Sequence, residues 1–220
     1  MSEWWSYSLS DFLLFSPRVY YRLIELHNHA LFPAHIPTVA IGLSMIVALA
    51  WPSPGRNRPT VAVLGVVWIW IAWAYFWERY ATINWASAYV APAFVLQGLL
   101  LISAGLSGKW LSFDPSARLT RTAAMVLLVS ANLGYPLIAP AMGRSWSAAE
   151  VFGIVPDPTA LATLALLAAA RGRARWLLVI MPLLWVAIST ATLRAMIAPD
   201  VWLMPLLALA ALAIALLPRR

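Results

Sequence analysis

Seven predominantly apolar segments joined by short connections make up most of the chain, and this pattern restricts what it can fold into. A helix needs about 20 apolar residues to cross the ~30 Å hydrocarbon core of a bilayer. The segments have about that length and lie at 34–51, 60–78, 86–106, 121–142, 151–170, 176–196 and 201–217. They predict an all-α integral membrane protein, with residues 34–220 forming a seven-span helical bundle.

The composition agrees with this class and excludes others. Hydrophobic residues make up 63% of the chain and charged residues 10%, which is far from the averages of soluble domains. The net charge of +7 comes from basic residues in the short interhelical loops, so it indicates membrane orientation, and we expect no nucleic-acid partner. The chain has no cysteine, which excludes disulfides and cysteine nucleophiles.

The loop charges predict the orientation of the bundle. Ten of the 15 basic residues fall in loops on one side of the predicted spans, whereas seven of the eight carboxylates fall on the other. Basic loops stay in the cytoplasm, so we expect a multi-pass bacterial inner-membrane protein with its N-terminus outside and its C-terminus cytoplasmic. If segment 151–170 did not cross the membrane, most basic residues would lie outside, against the usual charge distribution. The loop charges therefore favour seven spans over six. The ten basic residues are Arg56, Arg58, Lys109, Arg118, Arg121, Arg171, Arg173, Arg175, Arg219 and Arg220.

Residues 1–33 form a separate external segment in this interpretation. Trp4, Trp5 and Tyr7 are residue types that settle at headgroup depth, and Ser16-Pro17 is a typical helix start. An amphipathic helix should run from Pro17 to about residue 32 and lie on the membrane or cap the bundle. One face would carry Tyr20, Leu23, Ile24, His27 and Leu31, and the other Arg18, Arg22, Glu25 and His29.

Two of the predicted spans carry backbone breaks on either side of an external loop. The fourth contains Asn132 and Gly134-Tyr135-Pro136, and the fifth contains Gly153 and Pro156-Asp157-Pro158-Thr159. Broken helices within a membrane are tolerated where protein or a water-filled cavity satisfies the freed backbone groups, and many transporters build ion and substrate sites in this way.

Asp157 is the strongest candidate for a functional residue, because placing an ionisable side chain inside an apolar membrane segment costs free energy. We expect a polar ligand site that opens outward, in which Arg194 pairs with the carboxylate. The alternative is that Asp157 only caps a helix beginning at Pro158. The predicted ligand-binding residues are Asp157, Asn132, Tyr135, Thr159, Arg194 and Glu78, with Gln97, Ser189, Thr190 and Thr192 as further polar residues near the site.

The histidines suggest a second kind of site. Glu25, His27, His29 and His35 are residue types that bind zinc, copper or iron. His27 and His29 are two residues apart and point about 200° apart on a helix, so they cannot chelate one ion from one face. The alternative is a solvated ladder of Arg22, Glu25 and His29, with His27 and His35 at the interface.

Enzyme chemistry has little support in the sequence. There is no nucleophile with a base and an orienting group, and the only lysine, Lys109, is in a loop, which argues against a retinal protein. Three functions stay open: binding or permeation of a small solute, proton or ion; an accessory subunit of a larger membrane complex; and a metal- or haem-binding membrane protein. The cofactor is unassigned, and a homo-oligomer or a complex partner is compatible with each.

Several stretches together resemble an uncharacterised family of bacterial polytopic membrane proteins, classed only as a domain of unknown function. The resemblance runs through almost the whole chain and implies a membrane protein without a known activity. Its residues are Phe12 to Arg18, Tyr20-Tyr21-Arg22, Glu25 to Asn28, Pro33-Ala34, Ile83-Asn84, Ala91, Phe94, Leu96 to Leu100, Gly134-Tyr135-Pro136, Phe152-Gly153-Ile154, Pro156, Pro158-Thr159, Leu178-Val179-Ile180 and Pro182 to Trp185.

Overall fold

The computed structural model describes residues 14–51, 53–107 and 109–217, without the side chains of residues 54–56. Trp4, Trp5 and Tyr7 of the predicted interfacial segment lie outside the described residues, as do Arg219 and Arg220 of the predicted cytoplasmic tail. Within the described residues the fold is all-α, as predicted, apart from one short two-stranded ribbon.

The elements follow one another in a simple order. The α-helices are α1 (Pro17–Leu31), α2 (His35–Ala50), α3 (Pro54–Ile71), α4 (Ser87–Ser107), α5 (Arg118–Val129), α6 (Ile138–Ala141), α7 (Pro156–Ala169), α8 (Ala174–Leu178), α9 (Ile180–Ala195) and α10 (Leu203–Leu216). The strands are β1 (Ser112–Phe113) and β2 (Ala170–Arg171). Two π-helical turns, Ala72–Trp77 and Ser130–Gly134, continue α3 and α5, and 3-10 turns occupy Tyr80–Thr82, Tyr135–Leu137 and Trp146–Ala148.

Helix α1 begins and divides its faces as predicted. Ser16 caps it, with its hydroxyl oxygen accepting the Val19 backbone N–H at 3.3 Å. The helix is bent by 96° from α2, and it packs across the 3-10 turn at Trp146–Ala148. Its position outside the membrane stays a prediction. The buried face carries Tyr20, Leu23, Ile24, His27 and Asn28, whereas Arg18, Arg22 and His29 are exposed.

A helix occupies each of the seven predicted segments, but fewer than seven are long and apolar enough to span a bilayer alone. Four helical stretches meet that condition, and the bent pair α1–α2 would make a fifth if it counts as one span. The four are Asn57–Thr82, Ser87–Ser107, Arg118–Ala141 and Ala174–Ala195. Helices α7 and α10 have 14 residues each, about 21 Å at 1.5 Å per residue, which is shorter than the hydrocarbon core. Seven spans therefore stay a prediction.

Helix α7 is the centre of the fold. Every one of its residues is buried, and it packs against α5, α9 and α10. Helix α3 is tied to it by a buried hydrogen bond, in which the Trp68 indole N–H donates to the Thr163 hydroxyl at 2.9 Å. Since all residues of α7 are buried, its environment is protein, and most of its polar side chains lie in the first turn, with Thr163 one turn further along.

The two ends of α7 meet different sets of loops. At its C-terminal end, β2 pairs antiparallel with β1, which places Arg171 opposite Ser112. At its N-terminal end, Arg144 and Asp200 form an ion pair at 2.8 Å, so the loops before α7 and before α10 touch. The loops predicted to be cytoplasmic thus meet at one end of α7, and those predicted to be external meet at the other.

Helices α3 and α4 approach each other closely at glycines. A Cβ built on Gly98 would lie 2.6 Å from the Gly65 carbonyl oxygen, and one built on Gly65 would lie 2.5 Å from the Gly98 carbonyl oxygen. Gly105 has the same kind of contact with the Arg58 carbonyl oxygen, at 2.7 Å. Small residues permit this approach in membrane bundles, where packing rather than hydrophobic burial holds helices together.

Gly98→Ala is predicted to destabilise the protein by about 1–3 kcal/mol, because the added methyl group forces the backbones of α3 and α4 apart. Thermal unfolding in a mild detergent would show it as a lower Tm. Gly134→Ala is the matched control, since its Cβ would meet only the Ser130 Cβ, at 3.9 Å. Equal losses in the two variants would contradict the close helix contact.

Candidate functional site

The chain enters the core through a tight loop just before α7. Gly153 has a φ of +75°, a conformation that favours glycine, and its N–H donates to the Thr159 hydroxyl at 2.9 Å. That hydroxyl donates in turn to the Val155 carbonyl at 2.9 Å. Pro156 and Pro158 have no N–H, so the buried first turn of α7 presents fewer donors that need partners. The local sequence therefore satisfies a helix start that water does not reach.

Asp157 lies in this first turn and is only 2% exposed. Its Oδ1 accepts the Trp185 indole N–H at 2.7 Å. Its Oδ2 accepts the Ser189 hydroxyl at 2.6 Å and the Tyr135 hydroxyl at 3.2 Å. Three side chains from two other parts of the bundle thus converge on one buried carboxyl group.

These donors reach Asp157 because of the local helix geometry. Trp185 and Ser189 are four residues apart on α9 and lie on one face. Tyr135 follows the π-helical turn that ends α5, where the wider turn changes which residues face α7. The break at Gly134-Tyr135-Pro136 thus serves to orient a side chain toward the core.

No cation neutralises the carboxyl in the part of the chain that the structure describes. The ion pairs there include Arg22–Glu25, Arg144–Asp200 and Arg171–Asp114, and none of these involves Asp157. The predicted pairing of Asp157 with Arg194 is wrong, because Arg194 is exposed. It is five residues beyond Ser189, which turns it to another side of α9. All the hydrogen bonds to Asp157 come from uncharged donors.

The other predicted site residues are only partly gathered here. Asn132 is buried, its amide donates to the Leu128 carbonyl at 2.8 Å, and its Oδ1 faces Gly42. Thr159 is buried in the turn described above, and Glu78 is exposed at the end of a π-helical turn. Of the five predicted ligand residues other than Asp157, Tyr135 is the one that forms a hydrogen bond with Asp157 among the described residues. Sequence reasoning missed Trp185, although its position one helical turn before Ser189 was a usable signal.

A second acidic group lies in the loop before α7. Glu150 is 8% exposed. Burial raises the pKa of Glu150 well above its usual range, the nearby charge of Asp157 raises it further, and Arg144 opposes the shift. Glu150 is therefore a second buried carboxyl group whose protonated form is favoured.

The histidine and glutamate residues of the predicted metal site have separate partners, and His27 joins α1 to the loop before α7. The His27 Nε2–H donates to the Ile154 carbonyl at 3.1 Å, and the His35 Nε2–H donates to the Asn28 Oδ1 at 3.2 Å. His29 is exposed, and Glu25 pairs with Arg22 at 2.8 Å. Among the described residues there is no cluster of three or more histidine or carboxylate side chains that could hold a metal ion.

Asn28 completes the attachment of α1. Its amide donates to the Ser147 carbonyl at 2.7 Å and to the Ala149 carbonyl at 2.8 Å. Arg144 adds a contact from the loop side, with its guanidinium 4.2 Å from the centre of the Tyr21 ring. Helix α1 therefore covers the loop that leads to Asp157.

A family model described as a family of unknown function, DUF6064, matches residues 17–220. The chain belongs to this family. The assignment confirms the resemblance to a domain-of-unknown-function family, and DUF6064 brings no activity with it. Comparison with the curated proteins and with the solved structures gave no match. In this DUF6064 member, the hydrogen-bonded carboxyl group of Asp157 is the feature that points to a function.

Asp157→Ala is predicted to destabilise the protein by about 2–4 kcal/mol, because the Tyr135, Trp185 and Ser189 donors would lose a buried acceptor. Asp157→Asn keeps the shape and an acceptor oxygen, so its cost should stay below about 1 kcal/mol. Thermal unfolding of both variants in detergent checks this order. A larger loss for Asp157→Asn than for Asp157→Ala would contradict it.

Proposed function

We propose that this protein is a polytopic inner-membrane protein that binds a proton at Asp157 and passes it across the bilayer. The observation that carries the proposal is a buried carboxyl group held only by uncharged donors. The proposed topology has the N-terminus outside, the C-terminus in the cytoplasm and seven membrane-crossing segments, of which α7 is enclosed by the others.

The surface of the helices supports the membrane part of the proposal. The four long helical stretches have mean hydropathies of 1.6 to 2.0, and less than 60% of each tested window is buried inside the protein. Large side chains such as Val66, Leu96, Val126 and Leu184 are more than half exposed. An apolar surface of this extent is unfavourable in water and favourable in lipid.

The loop contacts support the orientation of α7. Loops from alternate sides of a bundle stay at opposite ends if each intervening segment crosses. Here the basic loops around Ser112 and Arg171 pair at one end of α7, and the loops around Arg144 and Asp200 pair at the other. This arrangement is the one expected if the segment from the outer loop through α7 crosses the bilayer, as the charge distribution predicted.

The hydrogen-bond partners of Asp157 suit both protonation states of a carboxyl group. The Trp185 indole only donates, so Oδ1 accepts in either state. The Ser189 and Tyr135 hydroxyls can donate or accept, so a proton on Oδ2 could be donated to either oxygen. The site therefore keeps its hydrogen bonds while the charge of Asp157 changes.

A proton fits this site better than a larger ligand. Asp157 is 2% exposed, and both of its oxygens already have protein partners. A solute or a metal ion would need the surrounding helices to separate, whereas a proton needs only hydroxyl groups that reorient. Glu150, in the loop covered by α1, supplies a second carboxyl group on the external side.

Asp157→Asn in reconstituted vesicles is predicted to reduce proton flux by at least about tenfold, because an amide cannot take up and release the proton. The measurement is the response of an enclosed pH-sensitive dye after a potential is imposed. Ser189→Ala should also lower the flux, since it removes one of the two hydroxyls at Oδ2.

Glu78→Gln is the matched control, because Glu78 is an exposed carboxylate that does not contact Asp157. Its flux should equal that of the wild type. Wild-type flux no greater than that of empty vesicles would contradict proton transfer. Equal flux in the wild type and Asp157→Asn would contradict the assignment to Asp157.

A further inference from the structure

A basic cavity lies away from Asp157, between α1 and the turn that follows the π-helical end of α3. Its volume is about 300 Å³. It is lined by Arg18, Val19, Arg22, Leu23, Leu26, Arg79, Thr82 and Ile83. Three guanidinium groups therefore share one cavity with apolar side chains, and none of the described residues that line it is a carboxylate.

The arginines of this cavity carry more positive charge than their ion-pair partners neutralise. Arg22 pairs with Glu25, which lies one helical turn away on α1. Neither Arg18 nor Arg79 takes part in an ion pair in the part of the chain that the structure describes. Among the described residues, the three arginines of the cavity thus have one ion-pair partner, Glu25, and the surplus of positive charge favours an anionic ligand. Planar guanidinium groups match the geometry of phosphate oxygens especially well.

The position of these arginines runs against the orientation bias of the chain. All three lie on the predicted external side, where basic residues are few. Of the other two external arginines, Arg144 is used in the ion pair with Asp200, and Arg194 stands on α9. Three of the five exceptions to the bias thus line a single cavity.

The apolar side chains that line the cavity indicate that the ligand also has an apolar part. Val19 is 42% exposed and Leu26 is 47% exposed at this cavity. Trp77, two residues before Arg79, and Trp85, two residues after Ile83, are also exposed. Tryptophan side chains of this kind settle at headgroup depth in a bilayer. A ligand with a phosphate group and apolar chains would satisfy both parts of the lining.

We propose that this cavity binds the phosphate headgroup of an anionic phospholipid, with Arg18 and Arg79 as its principal ligands. The lipid chains would lie against Val19 and Leu26, so the lipid would join α1 to the end of α3. The proposal rests on the membrane location of the protein and is independent of proton transfer at Asp157.

The test is lipid binding to the purified full chain in neutral detergent, followed by native mass spectrometry. Phosphatidylglycerol is the probe, phosphatidylcholine is the neutral comparison, and inorganic phosphate and glycerol phosphate represent the headgroup without chains. Phosphatidylglycerol should bind at least tenfold more tightly than the others. Arg18→Gln and Arg79→Gln should each weaken it about tenfold, the effect of losing one charge-assisted contact.

Arg118→Gln is the matched control, because Arg118 is an exposed arginine at the start of α5 and does not line the cavity. It should bind phosphatidylglycerol as the wild type does. An equal loss in Arg118→Gln would overturn the assigned site. Equal binding of phosphatidylglycerol and phosphatidylcholine would overturn the anionic ligand, and equal binding of glycerol phosphate would overturn the lipid as its source.

Discussion

The burial of a polar helix start at the centre of an apolar bundle is the constraint on which the rest of the structure depends. Water does not reach the first turn of α7, so every donor and acceptor there needs a protein partner. Proline at two positions removes donors, Thr159 satisfies the preceding loop, and Asp157 receives three hydrogen bonds. Those bonds fix the relative positions of α7, α9 and the broken end of α5.

The position of α1 over the loop before α7 follows from the same constraint. The loop before α7 has buried carbonyl groups, and α1 supplies donors to them from His27 and Asn28. Helix α1, which the sequence predicts to be an interfacial segment, thus also covers the polar interior. Of the histidines that resemble metal ligands, His27 donates a hydrogen bond to a backbone carbonyl and His35 donates to the Asn28 side chain, whereas His29 is exposed. Among the described residues they therefore form no metal-binding cluster.

Much of the fold could be predicted from the sequence because hydropathy and capping are local signals. The start of α1 follows from Ser16-Pro17, and each predicted apolar segment contains a helix. The length of α7 was not predictable from hydropathy, since the apolar run from 151 includes an irregular loop that is as buried as the helix. Enclosure by α5, α9 and α10 permits that loop, and enclosure is a property of the whole bundle.

The candidate site was predicted only in part, for a similar reason. Asp157 and Tyr135 are marked by backbone breaks, which can be read along the chain. Arg194 was expected on grounds of charge, but its position on α9 turns it away from Asp157, and the uncharged Trp185 takes the place of a partner. From the sequence alone, a tryptophan in an apolar helix is expected to be a packing residue. The folded structure is needed to show that its N–H lies beside a carboxyl oxygen.

The central claim is that Asp157 changes its protonation state while it stays buried. Infrared difference spectra of the protein in lipid, recorded between acidic and alkaline pH, test it most directly. The account predicts a carboxylic-acid signal that responds to pH in the wild type, persists in Glu150→Gln and is missing from Asp157→Asn. Identical difference spectra for the wild type and Asp157→Asn would contradict it.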